Sequence, residues 1–263
     1  MFKNKDFKRT SFEDDLMLEK DIFGIRGTQN WGSLGREEVS FSGLSLGVNS
    51  HSLFCADANI KTLARRKNYD LLVEHALRNA QSARQVAPVL SKEIARGYGW
   101  TNMVAADSRD VVAHEVGRSV KVEAGEGFVT RTNHFLRTPN WKVDYHQNAG
   151  TKTRFKDSLE KLREASNLDD IFDLLRTHRS KKVANSICNH GTIHTVYSYV
   201  FECKNGASAL YVCQGNPCQN DYVRIDLPFP ITPEVAQAIL EKYPSKRARA
   251  KLETKAPLIH VGS

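Results

Sequence analysis

Residues Gly99–Leu136 read GWTNMVAADSRDVVAHEVGRSVKVEAGEGFVTRTNHFL, and the patterning of this stretch decides the architecture. NMVAAD and VVAHEV flank the turn Ser108-Arg109-Asp110, and SVKVE and GFVTR flank Gly125-Glu126-Gly127. Short apolar or alternating runs punctuated by turn residues predict strands, here four in an antiparallel meander. The meander delivers a polar cluster, Thr132-Asn133-His134, ahead of Phe135-Leu136. Side chains at a strand end are rigidly held and can still face a cleft, which suits hydrogen bonding to a ligand.

Outward from the meander the chain alternates runs of strands with pairs of helices. Residues 12–60 carry short strand candidates broken by Gly24, Gly27, Gly32 and Gly35. Asn68 is placed to cap a helix from Tyr69, and a second helix is predicted over Ser82–Arg96. Helical periodicity returns at Arg154–Ala165 and Leu168–Thr177, with Asp169 and Asp170 in the latter's first turn. Strands are then predicted at Thr192–Cys203, Ala207–Cys213 and Tyr222–Ile225, the first two joined by the hairpin signal Asn205-Gly206. Thr232 starts a final helix that Pro244 stops. Strands in runs and helices in pairs argue for α+β layers and against a parallel doubly wound sheet. The expected organisation is a basic leader at 1–11, one domain over 12–243 and a basic tail at 244–263.

Composition narrows the functional classes. A chain of 263 residues can bury a substantial core. No apolar run reaches the roughly 18 residues that cross a bilayer. The N-terminal MFKNKDFKRTSFEDD has no apolar h-region, so a cytoplasmic location is expected. Cys55, Cys188, Cys203, Cys213 and Cys218 show no CxxC pairing, so neither a disulfide framework nor a zinc site is indicated. The formal net charge of +8 resides partly in Lys246–Lys251, Arg65-Arg66-Lys67 and Lys181-Lys182. Nucleic-acid surfaces interleave such charge with aromatics, and these clusters do not, so a solvated tail and loops are the simpler reading and nucleic acid is disfavoured. An anionic small-molecule substrate would exploit the same charge.

Three polar constellations compete for chemistry. His51 and Cys55 share one loop, and residues so close rarely form a dyad, so Cys55 reads as a buried thiol. Cys188 beside His190 is the stronger nucleophile candidate, with His194 nearby. His190, His194 and His134 have no HxH or HExxH spacing, so no metal site is assigned and no cofactor is expected. Asp107 and Glu115 read as surface carboxylates of the meander.

A meander ending in TNHF resembles the acyl-coenzyme A:6-aminopenicillanate acyltransferase family of N-terminal-nucleophile (Ntn) hydrolases. Gly27-Thr28-Gln29-Asn30-Trp31, the run Gly43–Asn49, Asn185-Ser186-Ile187-Cys188 and Gly215-Asn216-Pro217-Cys218 are similar to family segments and follow in the family's order. The resemblance covers about residues 10–227. It implies a four-layer αββα sandwich of two antiparallel sheets between helix layers. It also implies cleavage of an amide, or acyl transfer between a thioester and an amine, on a small acylated substrate.

In that family self-cleavage exposes a nucleophile whose own α-amine is the base, a group titrating near 8. By resemblance Asn133 is the oxyanion or substrate-orienting asparagine. Gln29, Asn30, Trp31, His134 and Asn189 then line the substrate pocket. The nucleophile window falls at Arg9–Glu13, where relatives carry Cys-Thr-Ser and this chain has Arg9-Thr10-Ser11. The resemblance therefore leaves Thr10 or Ser11 as nucleophile if processing exposes one of them. Gly32 replaces the family's aspartate, Asn189 its arginine, and Ser42 the asparagine of an Asn-Gly-Leu segment. Two expectations follow. One is an Ntn-type amidohydrolase or acyltransferase; the other is a descendant that keeps the fold as a binding or partner protein. Self-association into a homo-oligomer is left open.

Overall fold

The computed structural model describes residues 1–8, 12–29, 39–40, 43–60, 71–138, 148–178 and 186–253. Along the chain, strands β1 (Phe2–Lys8), β2 (Phe12–Glu19), β3 (Ile22–Gln29), β4 (Val39–Ser40), β5 (Leu46–Asn49) and β6 (Phe54–Asn59) come first. Helices α1 (Leu71–Asn79) and α2 (Val86–Ala95) lead into β7 (Thr101–Ala106), β8 (Val111–Val116) and β9 (Val120–Ala124). Helices α3 (Asn148–Glu164) and α4 (Leu168–Leu175) precede β10 (Ile193–Lys204), β11 (Ala207–Gln214) and β12 (Val223–Asp226). The chain closes with α5 (Pro233–Lys242) and α6 (Lys246–Glu253). Two compact units result: 1–41 with 166–263, and 42–165.

In the first unit an antiparallel sheet runs β1-β10-β11-β12. Asn205 (φ 52°) and Gly206 (φ 77°) form the predicted β10–β11 turn, both left-handed as a tight hairpin requires. β2 and β3 make a second hairpin, with β4 on β3. It faces the four-stranded sheet: Phe23 meets Phe201 edge-on at 6.2 Å. At the centre lies the fully buried Asp14. Its Oδ1 accepts from Lys5 Nζ at 3.0 Å, and its Oδ2 accepts from Tyr199 and Tyr243 hydroxyls at 2.6 Å each. Burial holds both tyrosines well above their usual pKa, so each keeps the proton it donates. A buried carboxylate persists only when paired and hydrogen-bonded in this way.

The segment expected as a leader thus contains a strand, β1, in seven-residue register with β10. Its apolar content is low, but Lys5 supplies the cation that Asp14 needs. The segment expected as a tail contains α6, whose Lys251 donates to Leu16 O at 2.8 Å and pairs with Asp15. Part of the basic charge is therefore internally partnered.

In the second unit β5-β6-β7-β8-β9 form consecutive antiparallel pairs. α1 and α2 pack on this sheet through Leu72, Val73, Ala76, Leu77, Val86 and Leu90. Buried Asn49 closes α1 by donating to Leu77 O and Ala80 O, both at 2.9 Å. Its Oδ1 accepts from the amides of His51 and Leu53. The predicted fourth meander strand, GFVTR, does not form. A Cβ on Gly125 would lie 2.6 Å from Phe128 O and 2.9 Å from Val111 Cγ1, so the chain doubles back on itself there. Beyond that point side chains, not a strand ladder, hold the backbone.

Candidate functional site

Those side chains come from every element around the TNHF corner. Asn102, fully buried on β7, donates through Nδ2 to Thr132 O at 2.7 Å and His134 O at 2.8 Å. Glu115 on β8, expected at the surface, is 1% exposed. It accepts from the amides of Leu136, Arg137 and Thr138 at 2.6–3.0 Å. Three successive amides satisfying one carboxylate form an anion nest, which reconciles its burial with charge. Phe135 inserts beside Trp100 and Ile60 in a buried cluster. Arg131, its side chain 2% exposed, pairs with Glu123 at 2.8 Å.

Within this frame Asn133 is exposed, and both ends of its amide are engaged. Nδ2 donates to Asn59 O at 2.9 Å, and Oδ1 accepts from Arg154 at 2.9 Å. Its backbone N donates to Thr151 Oγ1 at 2.8 Å. His134 is buried, with Nδ1 3.1 Å from both Thr132 Oγ1 and Thr151 Oγ1 and its ring edge-on to Phe155. Burial, reinforced by the positive charge of Lys152, lowers its pKa, so the imidazole is neutral at pH 7.

The remaining predicted residues belong to the other unit or fall outside the described residues. Gln29 stands across from Phe12 in the β2–β3 register, at the strand end next to the nucleophile window. Thr10, Ser11, Asn30 and Trp31 lie outside the described residues. Asn189 is buried in the loop before β10. Its Oδ1 accepts from Gly191 N at 3.0 Å, and its Nδ2 points to Asp6 at 3.4 Å.

The Cys188–His190 pair does come together, with Sγ 3.5 Å from Nε2. Burial pushes the Cys188 thiol up to about 12. A thiol is a nucleophile only as its thiolate, so this is the reverse of an activated cysteine. Cys55 is raised further by complete burial and stays an inert core thiol. Sequence reasoning also missed Cys218, 3.1 Å from His190 Nε2, and His178, whose Nε2 lies 3.0 Å from that of His190. No short spacing links these positions.

Antiparallel sheets with helices packed on them form the layered α+β architecture of an Ntn-type fold. Residues 1–217 match the acyl-coenzyme A:6-aminopenicillanic acid acyl-transferase family, and the chain belongs to it. Membership sets the class of chemistry, at an amide or acyl-thioester bond. Among solved structures, the chain is similar to penicillin V acylase from Agrobacterium tumefaciens: 11% identity, 89% of this chain and 84% of that one, TM-score 0.53. It is also similar to a mutant of conjugated bile acid hydrolase from Clostridium perfringens: 11% identity, 85% and 87% coverage, TM-score 0.47. No curated protein matches. Among the described residues no helix is long and apolar enough to cross a membrane.

Proposed function

We propose that this protein acts on a small acylated amine or acyl thioester as an Ntn-type amidohydrolase or acyltransferase. Thr10 or Ser11, freed by cleavage of the preceding peptide bond, is its nucleophile. The observation that carries this reading is positional. The Thr10-Ser11 pair immediately precedes β2, whose first residue, Phe12, sits opposite Gln29. A new N-terminus there would be held at the head of a strand with a largely buried side-chain pattern. The hydroxyl would attack the acyl carbonyl while the α-amine accepts its proton, forming an acyl-enzyme and releasing amine or thiol. Water or an acceptor amine then takes the acyl group and restores the hydroxyl. Asn133 would donate to the oxyanion only by exchanging its bond to Asn59 O. The net charge of +8 favours a polyanionic carrier such as coenzyme A on the acyl group. Five free cysteines fit a reducing compartment.

A second reading, a binding protein without turnover, is favoured by the anchoring of β1. Cleavage after Arg9 or Thr10 would sever the covalent link between Lys5 and Asp14, which now form a buried pair 3.0 Å apart. Intact mass under denaturing conditions, with N-terminal sequencing, separates the two. A main fragment beginning at Thr10 or Ser11 supports the enzyme. An uncleaved chain removes the α-amine mechanism and leaves the binding reading. Where cleavage is seen, unchanged turnover in the T10A/S11A double variant would remove the nucleophile assignment.

A further inference from the structure

We propose that His178, Cys188, His190 and Cys218 form a structural zinc site. Their four ligand atoms, two imidazole nitrogens and two sulfurs, lie within 4.8 Å of one another. The individual separations are His178 Nε2–His190 Nε2 3.0 Å, His190 Nε2–Cys218 Sγ 3.1 Å, Cys188 Sγ–His190 Nε2 3.5 Å and Cys188 Sγ–Cys218 Sγ 3.5 Å. Tetrahedral zinc, with Zn–N about 2.0–2.1 Å and Zn–S about 2.3 Å, spaces its ligand atoms roughly 3.3–3.8 Å apart. These four edges lie within a few tenths of an ångström of that spacing; the two remaining edges, from His178 to the sulfurs, are no longer than 4.8 Å and close by up to about 1 Å through rotation of the exposed His178 ring. A tetrahedral S₂N₂ set selects zinc over hard cations such as magnesium or calcium.

The four residues arrive on three segments that hydrogen bonds hold together, most of them without using the ligand atoms. At the C-terminus of α4, Thr177 O accepts from Cys188 N at 3.1 Å, which sets His178 beside Cys188. Arg176 Nε donates to Pro217 O at 3.1 Å and brings the Cys218 loop to the same helix end. Asn4 on β1 donates to both Leu175 O and Ile187 O, at 3.0 and 2.9 Å. Buried Asn216 donates to Asn189 O at 2.8 Å and reaches Cys188 Sγ at 3.5 Å, so one amide orients both the loop and the sulfur. Supporting bonds of this kind aim ligands in metal sites. On binding, Zn²⁺ displaces one proton from each thiol to solvent, and four protein ligands leave no position open for substrate, which makes the role structural. The ion would clamp the end of α4 to the loops on either side of β10 and β11.

The test uses the full chain, stripped with chelator and titrated with Co²⁺ alone, then with Zn²⁺. The expected result is one equivalent of Co²⁺ giving tetrahedral ligand-field bands and a thiolate-to-cobalt charge-transfer band, both abolished by one equivalent of Zn²⁺. C188S and C218S should each lose charge-transfer intensity. H178A, at an exposed position that leaves packing intact, should lose the tetrahedral pattern. N216A should weaken binding by about 10- to 100-fold. No charge-transfer band in the native chain, a band that survives in the C188S/C218S variant, or a Cys188–Cys218 disulfide under reducing conditions would each overturn the site.

Discussion

The corner at 130–138 and the cluster around Cys188 differ in how they hold polar groups. At the corner, motif residues contiguous in sequence spend their hydrogen bonds on neighbouring elements of the same unit. Asn102, Glu115, Thr151 and Arg154 occupy the backbone and side chains of the segment from Thr132 to Leu136. At the cluster, residues 12, 2 and 30 positions apart converge their polar tips on one point. There the scaffold is held mainly by bonds that avoid those tips, with Asn216 also touching the Cys188 sulfur. A contiguous polar motif can therefore be mainly architectural, while convergence from distant segments makes a site. The contrast can be broken by experiment, starting at the corner's strongest tie.

Glu115→Ala should have the largest effect. It deprives the amides of Leu136, Arg137 and Thr138 of their acceptor in a part-buried setting. Unsatisfied buried donors cost about 1–3 kcal/mol each, with partial relief from entering water, so a loss of about 3–5 kcal/mol is expected. Urea unfolding measures it. A loss below about 1 kcal/mol would mean that the corner is held by Phe135 packing instead.

Acid should act almost as strongly through His114, whose pKa burial lowers from 6.5 to about 4. Between those values the unfolded chain binds a proton that the folded chain does not, so stability rises with pH across that interval and falls on acidification. The full swing corresponds to about 3 kcal/mol. His114 sits on β8 between Met103 and Val122, one residue before Glu115. Unfolding curves at pH 7, 5.5 and 4 should show the loss, and His114→Leu should flatten this part of it. A variant with the native slope would assign the acid sensitivity elsewhere.

Asn102→Ala should cost about 1–3 kcal/mol, because it strips Thr132 O and His134 O of a buried donor. It should also raise amide hydrogen exchange at 132–136 more than at α1 or α2. Uniform exchange across the unit would deny the corner its separate anchoring.

How much of this was legible follows from which physical signals are local. Alternation and turn residues placed β7–β9, β10 and β11, and Thr232 caps α5 by a side-chain bond as its spacing anticipates, while the Asn167–Asp170 capping box on α4 is legible only as acidic residues in a first turn. β1 was not legible, since FKNKDFK has no strong alternation and its fixation depends on Asp14, nine residues on from Lys5. GFVTR looked like a strand because its apolar pattern cannot register the close approach at Gly125. Glu115 looked like a surface carboxylate because the amides that donate to it lie more than 20 positions away. His178 and Cys218 carry no spacing signal at all; only the fold joins them.

Asn133→Ala is the smallest expected perturbation of stability and the sharpest test of the contrast. Its side chain is exposed, and its bonds to Asn59 O and Arg154 are each worth about 1 kcal/mol. If the corner is only architecture, N133A lowers stability by roughly that amount and leaves kcat on any discovered acyl substrate within about two-fold, because a loss of that size leaves the folded population saturated. If Asn133 leaves Asn59 to donate to an oxyanion, the same variant loses about 10²–10³ in kcat at unchanged fold. Asn133→Asp separates the cases further. It keeps the acceptor for Arg154 but sets a carboxylate oxygen against Asn59 O, so it costs stability in either case, and only an oxyanion role also loses kcat. The residue that most resembles a family functional group is thus the one whose removal should either matter little or abolish turnover, and the stability cost alone does not distinguish them.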